Sequence, residues 1–87
     1  MPKVVFTPNL HRFFSCTETT AAGRTVREVL DNVFTEHPQA RGYVLDEQGK
    51  IRQHMVVFID GEMVRDRDTL RDSVQPYSVI DVIQSLS

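Results

Sequence analysis

A single cysteine, Cys16, is all the thiol that 87 residues carry. It excludes an internal disulfide and falls short of the four thiolates that an iron–sulfur cluster needs. Nothing beside it in sequence favours a thiolate, so Cys16 reads as a small packed hydrophobe. His11, His37 and His54 are well separated, and no pair has metal-ligand spacing. They read as surface or helix-end residues, and no metal or cofactor is expected. There is no Gly-rich phosphate loop. Basic runs are absent and the net charge is −2, so nucleic acid is not an expected partner. No apolar stretch nears membrane-spanning length, so no membrane association is expected. The start, "MPKVVFTPNL", has neither a long apolar core nor a small-residue cleavage site. These absences point to the cytosol. Asp66-Arg67-Asp68 brings two carboxylates close, but catalytic pairs need a cleft to shift their proton affinities. A solvated loop is the plainer reading. The sequence holds no case for an enzyme.

What is present suits one small domain over residues 1–87: 40% hydrophobic, 25% charged, 4 Gly and 4 Pro. A chain this short buries roughly 60% of its unfolded surface, so its core is modest. "KVVFT" (3–7) reads as a strand ended by Pro8-Asn9, and "FFSCTETT" (13–20) as a second, antiparallel to it. Thr25 and Glu28 have capping-box spacing. Behind them Val26, Val29, Leu30, Val33 and Phe34 make one apolar helical stripe, with Arg27, Glu28 and Asp31 on the wet side. Pro38 stops this helix at His37. Residues 38–54 look irregular, with turn chemistry at Asp46-Glu47-Gln48-Gly49 and a short strand at Lys50-Ile51-Arg52. "MVVFI" (55–59) is a strong strand, and Asp60-Gly61 is a two-residue hairpin turn into a return strand at 62–65. Asp68 is placed to cap a short turn that carries Leu70 inward. Gln75-Pro76-Tyr77 turns the chain into a last strand, Val79–Ile83.

One helix with one stripe covers one face of one sheet. The expected class is α+β, a mixed sheet of about five strands packed on one main helix. Setting the last strand beside the first gives the β-grasp. The expected core is Val4, Phe6, Val29, Leu30, Val33, Phe34, Val57, Ile59, Leu70, Ile80 and Val82. Strand residues alternate faces. Val5, Val56, Phe58 and Ile83 then share the face away from the helix, as an apolar patch of the kind that binds a partner. The alternative is that residues 38–54 fold over it.

Four stretches together resemble the MoaD/ThiS family of ubiquitin-like sulfur carriers over nearly the whole chain. They are "KVVFTPNLHRF", "GRTVREVLDNVFTEHPQARGYV", "GKIRQHMVVFIDGEMVR" and "TLRDSVQPYSVIDVIQSLS". The "GKIRQHMVVFIDGE" run and the long segment before it resemble the CysO-like branch, whose carriers serve cysteine synthesis. The resemblance implies a ubiquitin-activating-type adenylyltransferase, MoeB- or ThiF-like, as partner. It would adenylate the terminal carboxylate, which is then converted to a thiocarboxylate. A sulfur-accepting synthase is the second implied partner, in a pathway of cysteine, molybdopterin or thiamine type. Family members end in Gly-Gly, since a tail without Cβ bulk threads a narrow tunnel. Here Leu86 and Ser87 match the residues just before that pair. Tyr77 stands where many relatives have Gly. Two other readings remain beside the carrier. One is a non-covalent ubiquitin-like binding module that uses only its sheet patch. The other is a modifier joined to lysines.

Overall fold

The protein is described by a computed structural model over residues 1–6 and 18–84. Its elements run β1 (Lys3–Phe6), β2 (Glu18–Thr20), α1 (Val26–Glu36), α2 (Pro38–Val44), β3 (Met55–Ile59), β4 (Glu62–Met63) and β5 (Val79–Gln84). They form one sheet in the order β2-β1-β5-β3-β4. β1 pairs parallel with β5, and every other pairing is antiparallel. This is the mixed five-stranded β-grasp. Residues 13–17 of the expected second strand lie outside the described residues, as do His11 and Cys16.

α1 forms where its stripe predicts. Thr25 Oγ1 accepts from Glu28 N at 3.2 Å, satisfying one free donor of the first turn. The Glu28 carboxylate reaches back to Arg24 N at 3.1 Å, one residue beyond the standard box. Val26, Val29, Leu30, Val33 and Phe34 are all buried. They meet the inward residues of the sheet: Val4, Phe6, Met55, Val57, Ile80 and Val82. The Phe6 and Phe34 rings lie 6.5 Å apart at 49°, within the range of favourable aromatic pairs. Ile59, expected in the core, packs against it while only partly buried.

Residues 38–54 differ from expectation. Pro38 ends α1 and also begins α2, because its missing N–H costs nothing in a first turn. Ala40 and Val44, four apart, are buried, and α2 lies against α1. Leu45 and Ile51 pair as an isolated bridge and are buried in the same core. Arg27, expected to be solvated, ties α1 to two loops. Its guanidinium donates to Gly49 O at 2.6 Å, Thr69 O at 3.2 Å and Asp68 O at 3.3 Å. Gly49 sits at φ 81°, where a Cβ would come 3.1 Å from Arg27 Nη1. The positive φ favours glycine there, and an added Cβ would press on the Arg27 guanidinium.

The β3–β4 hairpin turns through Asp60 (φ 51°) and Gly61 (φ 88°), both positive, as a type I′ turn demands. The Asp60 carboxylate also accepts from Val79 N at 2.9 Å, fixing the start of β5. The return strand is shorter than expected, with one further bond from Val64 N to Val57 O at 2.9 Å. The following turn is capped by Asp66, not Asp68. Its carboxylate accepts from Asp68 N at 3.2 Å, Thr69 N at 2.9 Å and the Thr69 hydroxyl. These donors, the Thr69 hydroxyl first, hold Asp66 at a pKa of about 2. Leu70 follows, fully buried as expected.

Candidate docking face and carboxyl-terminal strand

β5 is the central strand. It is bonded to β1 on one side and to β3 on the other. Together these flanks hold β5 in register along its length, up to Gln84. Gln84 lies opposite Met55, at the first residue of β3. At this end Arg67 closes the β3 edge that short β4 leaves open. Its Nη2 donates to Met55 O at 2.8 Å and to Arg52 O at 3.0 Å. A covered edge does not recruit stray strands. Leu86 and Ser87 lie outside the described residues.

The two faces of the sheet separate by the alternation of its strands. Val4, Val57, Ile80 and Val82 are fully buried on the inner side. Val5, Val56, Phe58 and Ile83 are on the other side, the first three partly buried and Ile83 43% exposed. Register brings them together. Val56 faces Ile83, while Val5 and Phe58 flank Asp81 from opposite neighbours. The row continues from Phe58 to Met63 and from Val5 to Glu18. Glu18 is bridged to Lys3 at 3.6 Å. Ala40, Val44, Leu45 and Ile51 of the 38–54 segment go to the inner core, while Tyr43 is 47% exposed.

Besides Lys3 and Glu18, Met63 and Asp81 of this face escaped the sequence reading. Met63 lies opposite Phe58 and is 55% exposed. Asp81 sits at the middle of the row, between Val5 and Phe58. The apolar pattern of β5 points to its neighbours but passes over it, and only the register shows that it is central.

Elsewhere, among the described residues, no group of three His, Cys, Asp or Glu side chains converges as a metal site. No helix there is long and apolar enough to cross a membrane. The Asp66 carboxylate is taken up by its own turn, from Asp68 N to Arg71 N. Asp66 caps its own turn, and Asp72 accepts from Arg65 N and Asp66 N, each at 2.9 Å.

A β-grasp sheet with its last strand at the centre, parallel to the first and packed on one main helix, defines the ubiquitin-like class of small proteins. A model of the ThiS family matches residues 11–87, and the chain belongs to this family of ubiquitin-like sulfur carriers. Among solved structures the chain is similar to one from the Amycolatopsis orientalis BexX/CysO complex. That match has 20% identity, covers 100% of this chain and 98% of that one, and has a TM-score of 0.89. Mycobacterium tuberculosis CysO matches at 15% identity over 99% of this chain and 100% of that one, with a TM-score of 0.88. The small archaeal modifier protein 1 of Methanosarcina acetivorans matches at 17% identity over 99% and 93%, with a TM-score of 0.84. At these identities the likeness is one of fold. A sequence search of curated proteins finds no match.

Proposed function

We propose that the protein is a cytoplasmic sulfur carrier whose working group is its terminal carboxylate. The observation that carries this reading is the family match over residues 11–87, joined to a β-grasp sheet with β5, the last strand, at its centre. The outer face, with Val5, Val56, Phe58 and Ile83, docks a ubiquitin-activating-type adenylyltransferase. The carboxylate attacks the α-phosphorus of ATP, pyrophosphate leaves, and an acyl-adenylate forms. Sulfide then attacks the acyl carbon and displaces AMP, leaving a thiocarboxylate; where the donor is a persulfide, a thiol reduces the acyl disulfide first formed. A sulfur-accepting synthase takes the sulfur, and hydrolysis by water restores the carboxylate. In this scheme the protein is the carried reactant, and its partners do the catalysis. The resemblance of the "GKIRQHMVVFIDGE" run to the CysO-like branch favours cysteine synthesis as the destination over molybdopterin or thiamine.

Reach supplies the test. An extended residue spans about 3.3–3.6 Å, so a carboxylate on Ser87 stops roughly 7 Å short of one that follows a further Gly-Gly. A misplacement of about 1 Å can cost on the order of a hundredfold in rate. ATP–pyrophosphate exchange is measured with the adenylyltransferase of the same source, using a chain ending at Ser87 and one extended by Gly-Gly. The extended chain is expected to support exchange, and, with a sulfur donor, to gain the mass of sulfur replacing oxygen. The shorter one is expected not to. Equal exchange by both contradicts the reach argument. Binding without exchange by either favours the non-covalent module.

A further inference from the structure

The outer face is not a plain apolar patch, because a carboxylate stands at its centre. Asp81 lies directly opposite Val5 on β1 and Phe58 on β3. Strands neighbour one another at about 4.8 Å, so the two apolar side chains bracket Asp81 across about 10 Å. Among the described residues the Asp81 carboxylate makes no hydrogen bond and no ion pair. The nearby cation of this face, Lys3, is held by Glu18 at 3.6 Å. A partner that covers Val5, Phe58 and Ile83 must also cover Asp81. Sealing a lone carboxylate under an apolar surface is costly unless a cation and hydrogen bonds come with that surface.

We propose that Asp81 is the polar anchor of the docking face, and that the adenylyltransferase brings an arginine to it between Val5 and Phe58. The inference rests on the docking reading given above and adds the chemistry of the partner's surface. Arginine fits better than lysine for two reasons. Its planar guanidinium meets a carboxylate in a two-pronged hydrogen-bonded pair, and its weakly hydrated face stacks on an aromatic ring such as Phe58. The same carboxylate works against a second copy of this chain. A two-fold pairing through this face would bring two Asp81 side chains together with no cation between them.

The test is the affinity of the Gly-Gly-extended chain for the adenylyltransferase of the same source, measured across a range of salt. Wild type is compared with Asp81→Asn and Asp81→Lys, and unfolding midpoints establish that each variant is folded. Asp81→Asn is expected to bind on the order of tenfold weaker or more and to show a flatter salt dependence. Asp81→Lys is expected to be weaker still. Reversing one arginine of the enzyme's docking surface to Glu should then restore binding to Asp81→Lys in preference to wild type. Wild-type affinity and salt dependence in folded Asp81→Asn overturn the proposal. So does dimerisation of Asp81→Asn with unchanged enzyme affinity, which assigns the carboxylate to preventing self-association. If wild type itself fails to bind while folded, the docking reading falls, and this inference with it.

Discussion

The inner and outer faces of the sheet are built by alternate residues of the same strands, yet they obey different rules. On β5, Ile80 and Val82 are fully buried, while Asp81 is partly exposed and Ile83 43% exposed. The buried part of the inner face, Val4, Phe6, Met55, Val57, Ile80 and Val82, is apolar and meets α1, α2 and the 45–51 bridge, with Thr19, Glu62 and Gln84 at its margins. Each inner side chain has many contacts and no water, so its loss registers as stability. The outer face mixes Val5, Phe58 and Ile83 with Asp81, Lys3 and Glu18. On the proposed reading, loss of an outer side chain registers as affinity for a partner of complementary charge. A register slip by one residue would exchange the two sets, so the inner apolar set also locks the outer one in place.

The largest effect is expected on the inner side. Leu30→Ala removes a fully buried side chain from the middle of the α1 stripe. It should cost about 2–5 kcal/mol, a large share of so small a domain's stability. Urea denaturation measures it, and a negligible shift of midpoint would break the assignment of the α1 face.

Phe58→Asp should act on binding instead. It charges the centre of the outer face, and losing such an anchor costs about 2 kcal/mol or more of affinity. It also sets a second carboxylate opposite Asp81. Like charges directly opposed across strands destabilise by up to about 1 kcal/mol, so a small drop in stability is expected too. Calorimetric titration against the adenylyltransferase should therefore show a larger change than the denaturation midpoint. The opposite ranking would merge the two faces into one role.

Asp66 belongs to neither face, and its effect should be the smallest. Its pKa is lowered to about 2 by the Thr69 hydroxyl and backbone donors. Because the folded value lies below the unfolded one, this carboxylate stabilises above about pH 4. That contribution is lost as pH falls through about 2. Asp66→Asn should flatten the acid slope of stability in this window while leaving binding at neutral pH unchanged. An unaltered slope would show that the cap is not held in solution.

Much of this division was legible in the sequence. The α1 stripe, the Asp60-Gly61 turn and the alternation of residues 55–59 and 79–83 each carry a local period or a backbone demand. Those signals suffice for the element order and most of the core. α2 was not legible, because seven residues with Pro38 at the front and Gly42 inside resemble a loop. Its helix is sustained by packing Ala40 and Val44 inward rather than by propensity. The Asp66 cap was missed for a similar reason. Asp66 and Asp68 have equal local claims, and the three-dimensional turn alone decides between them. Asp81 was passed over because a search for apolar neighbours has no term for the charge among them. Its central place comes from pairing on both sides at once, which no single strand encodes.

Two adjacent residues of β5 test the separation most directly. Val82→Ala and Ile83→Asp are compared in parallel for urea midpoint and for affinity toward the adenylyltransferase. Val82 is fully buried and Ile83 is 43% exposed. Val82→Ala is expected to lose about 2 kcal/mol of stability while its folded fraction binds as wild type. Ile83→Asp is expected to keep its midpoint and bind at least tenfold weaker, a change of about 1.4 kcal/mol. If Ile83→Asp unfolds as readily as Val82→Ala and still binds with wild-type affinity, the outer face is not the docking surface.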